Sequence, residues 1–190
     1  KVLCQIDNVE PHEHHLTDKP FNRYYLRSVD GFVYMSEQVH SELRAYSDAP
    51  ALFSPHPLFE NFGERVERSE ACVRLGLDPA NRYVLFFGLI RDYKGLDLLL
   101  DAWAQLRRAG RTEGRRLIVA GEFYTAREPY LNRIADNGLQ DEVLLHDRFI
   151  PDNDVKYYFS AADFVVQPYK TATQSGVTQI AYQFCVPMVV

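Results

Sequence analysis

The chain has 190 residues, enough for one domain or for one domain and part of a second. Hydrophobic residues make up 46% of it and charged residues 25%, as in ordinary globular proteins, and no apolar run approaches the ~20 residues that cross a bilayer. The formal net charge is −5 and the basic residues are scattered. This argues against a nucleic-acid-binding protein, in which basic residues are usually clustered.

The cysteines and the first residues indicate the cellular compartment. Cys4, Cys72 and Cys185 are far apart, odd in number, and each lies in or beside an apolar stretch. We therefore expect buried, reduced thiols, which are typical of a cytoplasmic protein. Residues 1–6 are interpreted as a short strand and not as a signal peptide.

The first third of the chain is irregular. Apolar runs and helical spacing predict strands at 1–6, 31–35 and 51–54 and a helix at 37–46. Proline, asparagine and glycine then interrupt the pattern, so a domain boundary or linker is predicted at 55–64. We expect 1–58 to be the end of one domain and 59–190 to form a second.

The pattern becomes regular from Tyr83. Nearly continuous apolar runs recur at 83–88, 116–121, 143–146, 164–168 and 187–190. Such runs are typical of parallel strands that are buried on both faces. Amphipathic helices are predicted between them, at 96–106, 130–135, 155–162 and 175–184. The core face of the first is predicted to carry Leu96, Leu99, Leu100, Trp103 and Leu106. This alternation indicates an α/β fold with a doubly wound parallel sheet.

Two loops at the carboxyl ends of these strands are suited to an anion, because ligands of open parallel sheets bind there. In the first loop, Arg91 and Lys94 lie between a strand and a helix N-terminus, whose dipole favours negative charge. The second loop, 168–176, is rich in hydroxyl groups and leads into another helix. Arg91 and Lys94 alone would be interpreted as a solvated loop. Together the two loops favour a pyrophosphate site.

Motifs of other nucleotide-binding families are absent from the sequence. It has no G-x-G-x-x-G fingerprint, and no Gly-Lys-Ser/Thr follows the loop between Gly88 and Gly95. Nicotinamide chemistry and ATP hydrolysis of the familiar kinds therefore lose support.

Several segments together resemble one family. Residues 88–99 (GLIRDYKGLDLL) are similar to the donor-phosphate motif of retaining glycosyltransferases of family 4, which have the GT-B fold. Residues 117–122, 149–169 and 175–187 continue the resemblance through that family's donor domain. Residues 7–13 (DNVEPHE) resemble a segment late in its acceptor domain, with Asp7 where histidine is usual. The resemblance covers nearly the whole chain.

The resemblance implies an enzyme that transfers a sugar from a nucleoside-diphosphate sugar to a hydroxyl group of a glycan or lipid-linked acceptor. Configuration would be retained, without a metal ion or other cofactor. On this basis 59–190 is a Rossmann-like donor domain that is incomplete at its C-terminal end, and 1–58 is the end of the acceptor-side domain. We expect this part alone to be inactive. The enzyme would serve polysaccharide or glycolipid biosynthesis in the cytoplasm or at the inner face of the membrane, which missing parts would contact.

Specific roles follow from the resemblance. Arg91 and Lys94 would neutralise charge on the leaving phosphates, and His12 would act on the substrate. The residues expected to bind the donor are Gly88, Arg91, Lys94, Glu122, Ile150, Thr173, Gln174, Ser175, Gly176 and Gln179. Glu122 follows a strand end and could face either the ligand or solvent.

The sequence departs from the family's pattern at two further positions. Many members carry two glutamates, eight positions apart, that contact the donor sugar and the ribose. Ala172 and Ile180 occupy these positions here. The polar residues Thr173, Gln174 and Gln179 are the candidates to replace them.

Two acidic or histidine-rich segments could suggest a metal. Residues 12–15 (HEHH) could bind zinc, but adjacent residues rarely converge on one ion, so a polar loop is favoured. Asp152-Asn153-Asp154 resembles the Asp-x-Asp signature of metal-dependent glycosyltransferases. Because it precedes a predicted helix, we interpret its side chains as caps of the free N–H groups. No metal site is predicted.

Two other functions are compatible with the same fold, since a fold alone does not decide function. One is a sugar-nucleotide epimerase or phosphorylase. The other is a non-catalytic domain that binds a nucleotide sugar.

Overall fold

The structure, a computed structural model, describes residues 1–10, 18–172 and 175–190, with only the backbone of Asp18 and Lys19. The chain forms two compact units. One is Lys1–Pro57 with Thr171–Ser175, and the other is Leu58–Lys170 with Gly176–Val190. Their assignment to an acceptor and a donor domain stays a prediction. No helix in the described ranges is long and apolar enough to cross a membrane.

The first unit contains a three-stranded parallel sheet and two helices. Along the chain these elements are β1 (Leu3–Ile6), α1 (Asp18–Arg27), β2 (Gly31–Tyr34), α2 (Glu37–Leu43) and β3 (Ala51–Phe53), with the strand order β1-β2-β3. The strands and α2 agree with the sequence prediction, whereas α1 is absent from it. Leu26 is buried in α1 while Phe21 and Tyr24 are exposed. The aromatic residues of α1 therefore do not lie on the face that packs against the sheet.

The second unit is a five-stranded parallel sheet with helices on both faces. Its strands are β4 (Arg82–Phe87), β5 (Arg115–Ala120), β6 (Val143–His146), β7 (Phe164–Val166) and β8 (Met188–Val189). Its helices are α3 (Arg68–Leu75), α4 (Leu96–Arg108), α5 (Glu128–Asp136), α6 (Asp152–Ala161) and α7 (Gly176–Gln183). The strand order β6-β5-β4-β7-β8 confirms the doubly wound parallel sheet. The helix α3 was not indicated by the sequence pattern, because its buried residues, Ala71 and Cys72, are small.

The core explains the continuous apolar runs. Along β4, Leu85 and Phe87 belong to the cluster that includes α6 and α7, while Val84 and Phe86 belong to the cluster that includes α4. Alternate side chains of a strand point to opposite faces, so a sheet covered on both faces needs apolar residues throughout. Fully burying each such side chain stabilises the fold by about 1.5–3 kcal/mol.

The predicted core is wrong at two positions. Leu106 is 41% exposed, because at about 3.6 residues per turn it lies at the edge of the stripe that buries Leu100 and Trp103. Cys185 is exposed; it has a left-handed φ of 51° just after α7, between buried Phe184 and Val186. Cys72 is buried, Cys4 is half-buried, and all three thiols are free.

Candidate functional site

The loops after β4 and β7 meet at the carboxyl edge of the second sheet. These strands are neighbours, and the Lys170 backbone N–H donates to the Tyr93 carbonyl at 2.7 Å. The rings of Tyr93 and Tyr169 pack edge to face, 6.4 Å apart. Gly95 has a φ of 70°, and a Cβ atom there would overlap the Pro168 carbonyl oxygen. The predicted approach of the two loops is therefore found for residues 168–170 of the second loop.

The first loop is also held against the connection between β5 and α5. The Ile90 N–H donates to the Glu122 carbonyl at 2.8 Å, and the Tyr124 N–H donates to the Ile90 carbonyl at 2.9 Å. Gly121 has a φ of 144°, and a Cβ atom there would overlap the Gly88 carbonyl oxygen. Glycine is thus required for the close contact between these two backbone segments.

Lys94 places a positive charge beside Gly88, at the carboxyl edge of the second sheet. A Cβ atom at Gly88 would lie 3.2 Å from Lys94 Nζ and 3.4 Å from Val177 Cγ2 in α7, so both groups flank this glycine. Burial and, to a smaller extent, the neighbouring Arg91 lower the pKa of Lys94 to about 8. No carboxylate in the described ranges forms an ion pair with Lys94. An anion bound here would offset the desolvation of the ammonium group.

Arg91 lies next to this lysine. It precedes the short 3₁₀ turn Asp92–Lys94, and its guanidinium carbon is 5.2 Å from the centroid of the Tyr124 ring. The Lys94 ammonium is 5.7 Å from the centroid of the Tyr169 ring. Each of the two predicted cations therefore makes a cation–π contact, Arg91 with the segment after β5 and Lys94 with the segment after β7.

A cleft of about 200 Å³ adjoins this position. Its lining residues are Phe62, Phe87, Gly88, Leu89, Gly121, Glu122, Phe149, Ile150, Asp152 and Val155. Three of the predicted site residues, Gly88, Glu122 and Ile150, thus line one cleft. Sequence reasoning missed Phe149, although it directly precedes Ile150 and is 63% exposed. It also missed Phe62, for which no local pattern gave a signal.

The remaining predicted site residues lie in α7, directly before it, or outside the described residues. Gly176 opens α7, and Gln179 is half-buried in the same helix. Ile180 is 5% exposed and belongs to the core, so its side chain is unavailable to a ligand. Ser175 precedes α7 in the chain. The predictions for His12, Thr173 and Gln174 lie outside the described residues.

The interpretation of Asp152 and Asp154 as side-chain caps is wrong. Pro151 is the N-cap residue of α6, and no side-chain cap hydrogen bond is formed. Asp154 Oδ1 instead accepts a hydrogen bond from Arg74 at 3.3 Å, while Asp152 lines the cleft. Both carboxylates still lie in the first helical turn, where the helix dipole favours them. Within the described ranges, no group of three or more His, Cys, Asp or Glu side chains could hold a metal ion.

Comparison with known proteins identifies the family. The family described as glycosyl transferases group 1 matches residues 81–190, more than half of the chain and all five strands of its larger sheet. The chain belongs to this family.

Curated relatives of this group 1 chain include two kinds of glycosyltransferase. The lipopolysaccharide core biosynthesis mannosyltransferase LpsB of Rhizobium meliloti is 29% identical over 160 residues, which are 78% of this chain and 41% of LpsB. The D-inositol 3-phosphate glycosyltransferase of Segniliparus rotundus is 34% identical over 122 residues, 63% of this chain and 26% of that enzyme. The group 1 chain thus spans less than half the length of these relatives.

Solved structures share the fold. Sucrose-phosphate synthase from Thermosynechococcus elongatus has a TM-score of 0.79 at 21% identity, covering 93% of this chain and 44% of its own. Anabaena HepE, crystallised with UDP and glucose, has a TM-score of 0.75 at 16% identity, covering 98% of this chain and 51% of its own. The group 1 chain accordingly has the predicted α/β fold of the GT-B type.

Proposed function

We propose that the protein transfers a sugar from a nucleoside-diphosphate sugar to a hydroxyl acceptor, and that the unit with the five-stranded sheet binds the donor. One observation carries this proposal. The Lys94 ammonium, which has no carboxylate partner among the described residues, lies with the first turn of α7 beside Gly88, which also lines the cleft. A diphosphate at Gly88 would therefore leave its nucleoside in reach of Glu122 and Ile150.

In this proposal the cations act on the leaving group. Negative charge grows on the departing diphosphate as the glycosidic bond breaks, so Arg91 and Lys94 would bind the transition state more strongly than the donor. The backbone N–H groups at the start of α7 would add the positive end of a helix dipole. Ser175 and Gly176 would contact the same phosphates, and Gln179 is the described candidate to contact the sugar or ribose.

The relatives support the substrate class. HepE binds UDP and glucose, LpsB is a mannosyltransferase of lipopolysaccharide synthesis, and the Segniliparus enzyme acts on inositol phosphate. We propose a glycan or lipid-linked acceptor, with His12 close to it, at the cytoplasmic face of the membrane. As in the family 4 enzymes that the sequence resembles, configuration would be retained and no divalent metal or other cofactor would be used.

The test uses the full-length protein with UDP-, GDP- and ADP-sugars and a panel of glycan and lipid acceptors. We expect a glycosylated product by mass spectrometry, with the anomeric configuration of the donor by NMR and unchanged rates in EDTA. Interconversion of the donor sugars without an acceptor would instead indicate an epimerase. Tight donor binding without any product would indicate a binding domain.

The pKa of Lys94 predicts how donor binding depends on pH. Because only the protonated ammonium attracts phosphate, the affinity for UDP should fall about tenfold between pH 7 and pH 9, around the pKa of about 8. Calorimetry at pH 8 in two buffers of different ionisation enthalpy should show proton uptake on binding. Lys94→Arg, which stays charged throughout this range, should flatten the profile. Affinity of the unmodified protein that is constant up to pH 9 would contradict the prediction.

The same group affects the free energy of unfolding. Between about pH 8 and pH 10.5 the unfolded lysine holds a proton that the folded one has released. The buried charge therefore destabilises the fold below pH 8, and this contribution disappears as the pH rises.

A further inference from the structure

Asp92 lies between Arg91 and Lys94 in the chain, and its carboxylate is bound by residues that follow β5, whereas Pro168 follows β7 on the other side of β4. Asp92 Oδ1 accepts hydrogen bonds from Thr125 Oγ1 at 3.0 Å and from the Tyr130 hydroxyl at 2.9 Å. Thr125 lies in the connection between β5 and α5, and Tyr130 lies in α5. These contacts join residues 33 and 38 positions apart in the chain, so they link the turn to a separate part of the sheet.

Tyr130 is a rigid anchor. It is 5% exposed, and its ring packs against Phe123 with the centroids 5.5 Å apart. Burial, together with the hydrogen bond to Asp92, raises the pKa of Tyr130. Its hydroxyl therefore stays protonated and donates to Asp92 throughout the physiological range.

The turn that carries the cations has little support of its own. Asp92–Lys94 is a single 3₁₀ turn, closed by the Lys94 N–H donating to the Arg91 carbonyl at 3.0 Å, and Arg91 makes no side-chain cap. Such short turns are weakly stable by themselves and depend on tertiary contacts. Arg91 precedes the turn and Lys94 ends it. Both side chains are long and flexible, so the positions of their charges depend on the backbone of the turn.

We propose that Asp92 is a positioning residue, which Thr125 and Tyr130 hold in place so that Arg91 and Lys94 present their charges to the donor diphosphate. The inference rests on the proposed function. The two hydroxyl donors also engage the Asp92 carboxylate on the α5 side. In the described structure this carboxylate forms no ion pair with Lys94, so the ammonium is left for the ligand.

The test compares UDP and uridine binding to the full-length protein by calorimetry. Asp92→Ala should weaken UDP binding about tenfold and Tyr130→Phe about threefold, as expected for losing two hydrogen bonds or one. Uridine binding should not change, because uridine lacks the phosphates. Asp92→Asn keeps the acceptor oxygen and removes the charge, so it should restore most of the UDP affinity if the hydrogen bonds position the turn.

Tyr83→Phe is the matched control. Tyr83 is also buried, and its hydroxyl also donates a hydrogen bond, to the Asp78 carbonyl at 2.9 Å at the opposite end of β4. The Tyr83→Phe substitution should lower the free energy of unfolding as much as Tyr130→Phe does, without weakening UDP binding. Equal UDP affinity of Tyr130→Phe, Asp92→Ala and the unmodified protein would overturn the proposal.

Hydrogen exchange without ligand separates the two proposals. The amides of 91–95 should exchange faster in Asp92→Ala and Tyr130→Phe than in Tyr83→Phe. If this occurs while the unmodified protein binds none of UDP, GDP and ADP, Asp92 is an anchor of the turn and the donor-binding function is refuted. Unchanged exchange in both Asp92→Ala and Tyr130→Phe would refute the proposal that these two residues hold the turn in place.

Discussion

Replacing Lys94 by alanine is expected to weaken UDP binding tenfold or more and to leave uridine binding unchanged. The ammonium group is largely removed from water and pairs with no described carboxylate, so a diphosphate at Gly88 would meet a charge that is poorly screened. A charge-assisted contact of this kind contributes roughly 1.5–3 kcal/mol. In the full-length enzyme turnover should fall as well, because charge on the leaving group grows in the transition state.

Lys170→Ala is the matched control for this prediction. Lys170 lies in the neighbouring loop, but its ammonium pairs with Asp97 at 2.8 Å. Removing it should change UDP affinity less than twofold, as expected for a half-exposed ion pair. Thermal unfolding should show that Lys94→Ala remains folded, since the substitution removes a buried charge and no core side chain. Equal affinity of Lys94→Ala, Arg91→Ala and the unmodified protein for UDP would exclude a diphosphate site here.

Gly95→Ala is expected to lower the free energy of unfolding by about 3 kcal/mol or more and to abolish UDP binding. The added Cβ atom would overlap the Pro168 carbonyl oxygen, so the loops after β4 and β7 would have to separate. This separation would displace Lys94, the residue directly before the glycine.

Gly110→Ala isolates the effect of that overlap. Gly110 has a φ of 68°, close to the 70° of Gly95, but a Cβ atom there would meet nothing within 4 Å. The Gly110→Ala substitution should therefore lower the free energy of unfolding only by the backbone strain of a left-handed alanine, about 1–2 kcal/mol, and UDP binding should be normal. Urea denaturation and calorimetry on both variants give the comparison. Equal effects of the two substitutions would mean that the contact with Pro168 does not hold the loops together.

Local patterns were sufficient for most of the larger sheet. The runs in β4 and β5 are apolar at every position that the two helical layers cover, so their length and composition indicate buried parallel strands. The helix α4 was indicated by its stripe of leucines and Trp103. Helices α1 and α3 were not, because the aromatic residues of α1 are exposed and the buried residues of α3 are small. Residue type also misled at Cys185, where the backbone conformation after α7 directs an apolar side chain outward.

The sequence by itself determined the alternation of strands and helices and the two cations, Arg91 and Lys94, between a strand and a helix. These features depend on residues within one or two turns of each other, where period and residue type carry the information. Only the tertiary structure decided that β7 lies beside β4, that Ile180 belongs to the core, and that Glu122 shares a cleft with Phe62. It alone shows Asp92 bound to α5. Such contacts join distant parts of the chain, and their free energy depends on how whole layers pack, which no local pattern specifies.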